Sequence, residues 1–194
     1  MKLQDETRFE FRQFGKDLSA VKQAFAALGR GNEHPARSET YIVTRLNIES
    51  NVKIRAGRLE VKGLRGRLGM LEQWTRVLDA EFPVTVEEIE NVVIPALGLD
   101  LELGSGGALT EGALLALVSG QPALATVEVE KRRTLFDLDD CEAEFCELRI
   151  GDDRLHTISI EAIDAEVARA VLRKARLEDV QNESYAAFLQ RRLF

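Results

Sequence analysis

The stretch RFEFRQFG, residues 8–15, alternates aromatic with charged side chains. Two phenylalanines stand between Arg8, Glu10 and Arg12. Because side chains of a β-strand point alternately to its two faces, a strand here would bury both aromatic rings on one face and display all three charges on the other. The charged face would contact either water or a ligand that carries several negative charges.

Length and composition are those of an ordinary soluble globular protein with a single domain, residues 1–194. The chain is 45% hydrophobic and 30% charged, and it is long enough to bury a core. Its net charge of −7 argues against nucleic-acid binding, which requires a basic surface. The chain contains no run of about 18 apolar residues, the length needed to span a bilayer. We therefore expect a cytoplasmic protein without a nucleic-acid or membrane partner.

Cysteine and histidine do not provide an obvious reactive site. The two cysteines, Cys141 and Cys146, and the two histidines, His34 and His156, have neither zinc-ligand spacing nor the pattern of a disulfide framework. They are predicted to be packing residues. The chemistry of the protein is therefore expected to come from Arg, Lys, Glu and Asp.

Alternation of apolar and polar side chains recurs along the chain and predicts further β-strands. Residues 51–64 are predicted to form a hairpin that turns at Ala56 and Gly57. The other predicted strands comprise residues 39–48, 125–138, 141–150 and 154–163. Each of these strands would place its charged side chains on one face.

Helices are predicted between the strands from apolar residues with a 3.6-residue period and from capping residues. They comprise residues 17–31, 69–80, 85–98, 111–119, 164–176 and 183–193. Thr85 and Glu88 predict a capping box, and Pro95 predicts a kink. The stretch GSGG, residues 104–107, lacks the lysine and Ser/Thr of a P-loop and is predicted to be a flexible loop.

Two architectures satisfy this pattern of charged strand faces. One is an open antiparallel sheet with helices on one side and water on the other. The second is a barrel whose strands close on themselves with the charges inward and the helices outside. Because buried charges are costly unless they are paired or bind a ligand, the closed version would need a charged ligand.

The order of the motifs resembles that of the CYTH superfamily, also called triphosphate tunnel metalloenzymes, which includes class IV adenylyl cyclases, thiamine triphosphatases and inorganic triphosphatases. RFEFR stands where the family has its N-terminal ExExK strand, and SETYIVT resembles the D-x-Y-x-D strand. The other matches are VKIRAGRLEVK with the R-x-R and L-x-x-K hairpin, VEKRRTLF with the strand ending in K-R, TISIEA with the late E-x-E strand, and ESYAAFLQRRL with the closing S-Y helix. The resemblance covers residues 6–193.

This resemblance implies an α+β fold, namely an antiparallel eight-stranded closed barrel, or tunnel, with helices packed outside. Basic residues of the tunnel would bind a polyphosphate, and its acids would hold Mg²⁺ or Mn²⁺, which prefer oxygen ligands. The implied phosphate-binding residues are Arg12, Lys53, Arg55, Lys62 and Arg132, with Arg133 in place of Arg132 if the register shifts by one residue. The implied metal ligands are Glu10 and Glu161, and the further tunnel acids are Glu60, Glu128, Glu130, Glu142 and Glu144.

The chain departs from the family pattern at several acidic positions. Arg8, Val43 and Ser159 stand where the family has acids, and Arg12 stands where it has Lys. Arg8 would place a positive charge beside the metal. Since metal-assisted phosphoryl transfer depends on a well-held cation, the sequence leaves open whether catalysis survives.

The first functional hypothesis is a divergent CYTH-like enzyme that binds a triphosphate-containing compound in a basic tunnel and hydrolyses it with a divalent metal, water being the nucleophile. The alternative is a non-catalytic module that binds or senses a phosphorylated metabolite or polyphosphate. A third reading is a structural domain with solvated strand faces. The sequence does not define the organic group of the substrate, the catalytic residue, or whether the chain forms a homodimer.

Overall fold

A computed structural model describes residues 7–104, 106–138 and 140–194 of the chain and shows an α+β fold. The strands are β1 (Arg8–Gly15), β2 (Gly31–Glu33), β3 (Arg37–Thr44), β4 (Ser50–Arg55), β5 (Arg58–Leu68), β6 (Leu71–Glu81), β7 (Val84–Thr85), β8 (Ala108–Leu109), β9 (Leu124–Asp137), β10 (Cys141–Ile150) and β11 (Asp153–Ala162). Ser105, in the predicted loop 104–107, lies outside the described residues.

The helices are α1 (Ser19–Leu28), α2 (Val86–Glu88), α3 (Ile94–Ala96), α4 (Glu111–Ser119), α5 (Ala165–Lys174) and α6 (Tyr185–Leu193). A π-helical turn, Ile89–Val93, joins α2 to α3. Among the helices that the structure describes, none is long and apolar enough to cross a membrane.

The main sheet is antiparallel and has nine strands in the order β10-β11-β1-β6-β5-β4-β3-β9-β2. An additional pairing of β9 with β10 closes eight of these strands into a barrel, and β2 pairs with β9 outside it. β7 and β8 form a separate two-stranded sheet. The predicted α+β class and closed eight-stranded barrel are confirmed.

The residues group into two compact units, each with its own hydrophobic core. The first unit comprises the described residues up to Ser38 together with Arg65–Thr75 and Val129–Ser184. The second unit comprises Glu39–Leu64, Arg76–Glu128 and Tyr185–Phe194.

The core of the first unit is formed by residues of strands β1, β10 and β11 and of helices α1 and α5. Phe11 on β1, Phe145 on β10 and Ile158 on β11 belong to one buried cluster with Phe25 of α1 and Leu172 of α5. Phe11 is fully buried, as the alternation in RFEFRQFG predicts. The opposite face of β1, which carries Glu10 and Arg12, is thereby left for the charged site.

The core of the second unit covers the hairpin β4–β5. Val52 and Leu59 of this hairpin pack with Ile89 and Val93 of the π-helical turn and with Leu114 of α4. Apolar burial of this kind supplies most of the driving force for holding a helix against a sheet. The charged side chains of β4 and β5 alternate with these core residues.

The hairpin and the capping box confirm two local predictions. Ala56 and Gly57 both have positive φ, as the tight turn between β4 and β5 requires, and Lys53 lies directly opposite Glu60 in the resulting register. The Thr85 hydroxyl accepts from the Glu88 backbone N–H at 3.2 Å, and the Glu88 carboxylate accepts from the Thr85 backbone N–H at 3.2 Å.

The predicted helix at residues 69–80 is wrong, because this segment forms β6 instead. Buried Leu71, Trp74 and Leu78 are spaced as on a helix face, which explains the error. In the strand, the adjacent residues Trp74 and Thr75 are both buried, so simple alternation is lost. Pairing with β1, in which Glu72 lies opposite Glu10, shows the strand assignment directly.

Candidate functional site

An acidic row crosses four neighbouring strands of the first unit. It consists of Glu72 on β6, Glu10 on β1, Glu161 on β11 and Glu142 on β10. Glu10 lies directly opposite both Glu72 and Glu161, and Glu161 lies directly opposite Glu142. Because directly opposed residues of an antiparallel pair have Cβ atoms about 4.5–5.5 Å apart, the row concentrates negative charge.

Arginines lie next to this row. Arg12, two residues after Glu10 and on the same strand face, has guanidinium nitrogens 3.6 Å from Glu144 and 3.9 Å from Glu161. A nitrogen of Arg133 lies 3.2 Å from the other carboxylate oxygen of Glu144. Glu144 thus joins two guanidinium groups from β1 and β9. We call Arg12, Arg133, Glu144 and Glu161 the first ion cluster.

The carboxyl group of Glu142, in the acidic row, has a pKa that differs from its ordinary value. Burial raises its pKa above the ordinary value, and the neighbouring Glu161 and Glu144 raise it further. Arg8 and Arg133 lower the pKa but do not outweigh these effects. A positive charge beside Glu142 would stabilise its ionised form.

The acidic row offers carboxylate oxygens to the divalent metal that the resemblance implies. Among residues 7–104, 106–138 and 140–194, no group of three or more His, Cys, Asp or Glu side chains is arranged to hold a metal ion. Mg²⁺, however, is commonly held by one or two carboxylates together with water and substrate phosphates. The opposed pair Glu10 and Glu161 fits this simpler arrangement.

A second ion cluster lies in the second unit and consists of Lys53, Arg55, Glu39 and Glu60. The Lys53 ammonium lies 3.4 Å from Glu39 and 3.5 Å from Glu60. Arg55 lies 3.9 Å from Glu39 and also contacts Glu60. The Tyr41 hydroxyl donates a hydrogen bond to Glu39 at 3.0 Å. Each cation therefore touches both acids.

The acids of the second cluster are more deeply buried than its cations. The side chains of Glu39 and Glu60 are 0% and 4% exposed, whereas those of Lys53 and Arg55 are 15% and 29% exposed. Burial lowers the pKa of Lys53, although Glu39 and Glu60 oppose that shift. Lys62 also lowers this pKa through its charge, which places it near the cluster.

The remaining predicted site residues on β9 lie away from the first ion cluster. Arg132 and Glu128 are exposed and alternate with Arg133, so they lie on the opposite strand face. Glu130, on the same face as Arg132, forms a surface ion pair with Arg149. The structure brings Arg133, rather than Arg132, to Glu144.

A groove of about 450 Å³ lies beside this outer face of β9. Its lining includes Arg132, Glu147, Glu130 and Arg149. Arg132 lies opposite Glu147 in the register, and Glu130 accepts a 2.8 Å hydrogen bond from Arg149. These two acids are therefore paired across the strands, but the lining as a whole carries an excess of positive charge, since its cations are Lys16, Lys131, Arg132, Arg149 and Arg154.

Three residues with a clear place in these clusters are absent from the sequence-based set. Glu39 is the acid of SETYIVT, and the resemblance to D-x-Y-x-D was the signal that could have found it. Glu72 was missed because residues 69–80 were predicted to form a helix. Lys131 is buried and lies two residues before Arg133 on the same face of β9, so a correct register for this strand would have identified it.

Comparison with known proteins identifies the fold. A candidate adenylate cyclase from Bacillus halodurans is similar, with a TM-score of 0.53 and 11% identity over 97% of this chain and 99% of that chain. A candidate adenylyl cyclase from Hippeastrum, which has a dominant triphosphatase activity, gives a TM-score of 0.53 and 14% identity over 96% and 97% of the two chains. The chain has a CYTH-like fold.

A third structural comparison and the sequence searches define how far this likeness extends. The protein PH1012 from Pyrococcus horikoshii gives a TM-score of 0.50 and 15% identity over 91% of this chain and 94% of that chain. No protein-family model and no curated protein matches the sequence. The CYTH-like assignment therefore concerns the fold.

Proposed function

We propose that the protein binds a triphosphate-containing compound and hydrolyses it with the help of Mg²⁺ or Mn²⁺. The observation that carries this proposal is the position of Arg12, which contacts Glu161 beside the opposed pair Glu10 and Glu161. A metal-bound triphosphate needs carboxylates for the metal and cationic side chains for its phosphate oxygens at neighbouring positions. The triphosphatase activity of the Hippeastrum protein, which shares the fold, supports the same reaction class.

The side chains of the first ion cluster suit distinct roles in this reaction. Arg12 and Arg133 would donate charge-assisted hydrogen bonds to phosphate oxygens. Glu144, which contacts both guanidinium groups, would keep them oriented. Glu10 and Glu161 would hold the metal, which when bound would neutralise phosphate charge and assist attack by water. Glu142, whose pKa is raised, also lies beside this site, as does Glu144.

The second ion cluster would bind phosphate through side chains that are already fixed. Lys53 and Arg55 are each held by Glu39 and Glu60, so little side-chain entropy remains to be lost on binding an anion. Their side chains are more exposed than those of the acids that hold them. Lys62 would add a further positive charge.

The test is phosphate release from tripolyphosphate, ATP and thiamine triphosphate, each with and without Mg²⁺ or Mn²⁺. We expect metal-dependent release from at least one of them. Glu10→Gln and Glu161→Gln retain shape but remove charge from the metal ligands, so turnover and Mn²⁺ affinity should both fall by more than about tenfold. Glu166→Gln, at an exposed ion pair with Arg169, is the control and should leave both unchanged.

Two other outcomes would decide against hydrolysis or against the assigned residues. Tight binding of tripolyphosphate without release under any metal condition would indicate the binding module instead. Metal dependence that is unchanged in both glutamate variants would show that the metal is held elsewhere.

A further inference from the structure

Asn182 stands where β1 separates from β6. β1 pairs with β11 from Phe9 to Gly15, but it pairs with β6 only from Arg8 to Glu10. Beyond Glu10, the edge of β1 that faced β6 needs another partner, since an unpaired strand edge leaves backbone groups without hydrogen bonds. The segment before α6 supplies that partner.

Asn182 and Glu183 form hydrogen bonds with the backbone N–H and carbonyl oxygen of Arg12. The Asn182 side-chain oxygen accepts a hydrogen bond from the Arg12 backbone N–H at 2.8 Å. The Glu183 backbone N–H donates to the Arg12 carbonyl oxygen at 2.9 Å. The backbone of Arg12 is thereby fixed on the side that β6 no longer covers.

The amide nitrogen of Asn182 binds the two strands on either side of the gap. It donates to the Glu10 carbonyl oxygen at 3.3 Å and to the Met70 carbonyl oxygen at 2.9 Å. Met70 is the residue immediately before β6, whose Glu72 lies opposite Glu10. One side chain therefore connects the backbones that carry Glu10, Arg12 and the start of β6.

Only a carboxamide can make this set of contacts. It offers an acceptor and two donors in one plane, and all three partners are backbone atoms. An aspartate at the same position could still accept from Arg12 but would face two carbonyl oxygens without a donor. Alanine would leave all three backbone groups without this partner.

We infer that Asn182 is a positioning residue for the proposed reaction, and that it holds Glu10 and Arg12 at the distance at which one binds metal and the other binds phosphate. This inference rests on the proposed function. Residues that orient metal ligands through hydrogen bonds typically affect metal affinity by about 10- to 100-fold when they are replaced. Asn182 acts through the strand backbone instead of through the ligand side chain, so metal and phosphate affinity should change together.

The experiment compares Asn182→Ala and Asn182→Asp with Asn47→Ala. Asn47 is a matched control, because its side chain also makes contacts at 2.8, 2.9 and 3.3 Å, to Glu49, Ala96 and Ser50 of the second unit. Three quantities are measured for each full-length variant: Mn²⁺ affinity, tripolyphosphate affinity, and hydrogen exchange of the Arg12 backbone amide.

Both Asn182 variants should lose about 10- to 100-fold in Mn²⁺ and tripolyphosphate affinity. Exchange of the Arg12 amide should accelerate in Asn182→Ala, which lacks the acceptor, and less in Asn182→Asp, which retains it; it should not accelerate in Asn47→Ala. Equal affinity losses in Asn47→Ala would indicate general destabilisation and overturn the inference, as would faster Arg12 exchange with unchanged affinities. If the wild-type protein binds neither probe, the proposed function fails. Separately, an Arg12 amide that exchanges no faster in Asn182→Ala would refute the positioning contact.

Discussion

In the second ion cluster, Glu39 and Glu60 are almost completely buried, and each contacts both Lys53 and Arg55. In the first ion cluster, Glu144 and Glu161 are 11% and 18% exposed and share Arg12. In the second cluster, two acids contact two cations, so the formal charges of these four side chains cancel. The first cluster adjoins an acidic row whose Glu142 has a raised pKa. The same residue types thus form two buried acids that share two cations in one unit, and a row of opposed acids beside arginines in the other.

The largest effect should follow from breaking the balance of the second cluster. Lys53→Met removes the ammonium group that contacts both acids, so Glu39 and Glu60 lose one of the two cations that they share. Removing one partner of a buried ion pair typically costs about 3–5 kcal/mol, because a buried charge loses its compensation. We expect that decrease in the free energy of unfolding, measured by urea denaturation.

The matched control for this prediction is Arg58→Met on the same hairpin. Arg58 contacts Asp79 and Glu81, and Glu81 is 78% exposed, so water can replace the lost guanidinium. Its replacement should cost clearly less stability than Lys53→Met. Equal costs would mean that Glu39 and Glu60 are compensated by something other than Lys53.

The contents of this second cluster could be predicted from sequence to a large extent. Ala56 and Gly57 define the turn, and the turn defines the register that places Lys53 opposite Glu60. The hairpin is local, so no distant part of the chain needs to be known. Glu39 comes from another strand, and its contact with Lys53 depends on a pairing that local pattern does not define.

The first cluster was harder to predict because it depends on register between distant strands. The run from Lys131 to Arg133 offers a cation at every position, and a shift by one residue exchanges the two strand faces. Only the pairing of β9 with β10 brings Arg133 to Glu144. Glu72 was missed for a related reason, since β6 is covered on both faces around Trp74 and Thr75 and shows no alternation.

An intermediate effect is expected from removing a cation of the first cluster. Arg12→Met should lower the free energy of unfolding by less than Lys53→Met does. Arg133 still contacts Glu144, and the carboxylates of Glu144 and Glu161 are partly exposed to water. Tripolyphosphate affinity should fall by about 10- to 100-fold, since a hydrogen bond to a charged group contributes about 1.5–3 kcal/mol. Isothermal titration calorimetry measures the change.

Arg149→Met is the control for the Arg12 variant. Arg149 is an exposed arginine of the first unit that pairs with Glu130 on the outer face of β9. Tripolyphosphate affinity should stay at the wild-type value in this variant. If both arginine variants lost affinity equally, the anion would be attracted by net charge and not by the first ion cluster.

The smallest effect concerns Glu142, whose pKa is raised by burial and then by Glu161 and Glu144. The folded protein therefore holds this proton more tightly than the unfolded chain, so the stability gained below the ordinary pKa is lost as pH rises through the raised value. Glu142→Gln removes that loss and should be more stable than wild type at neutral pH, with a difference that shrinks towards pH 4. Urea denaturation across this pH range measures the difference, and Glu147→Gln on the opposite face of β10 should not show it.

Saturating Mn²⁺ should reduce the advantage of Glu142→Gln if the acidic row binds the metal, because the cation compensates the ionised carboxylate. An advantage that is independent of both pH and Mn²⁺ would show that it does not arise from the ionisation of Glu142.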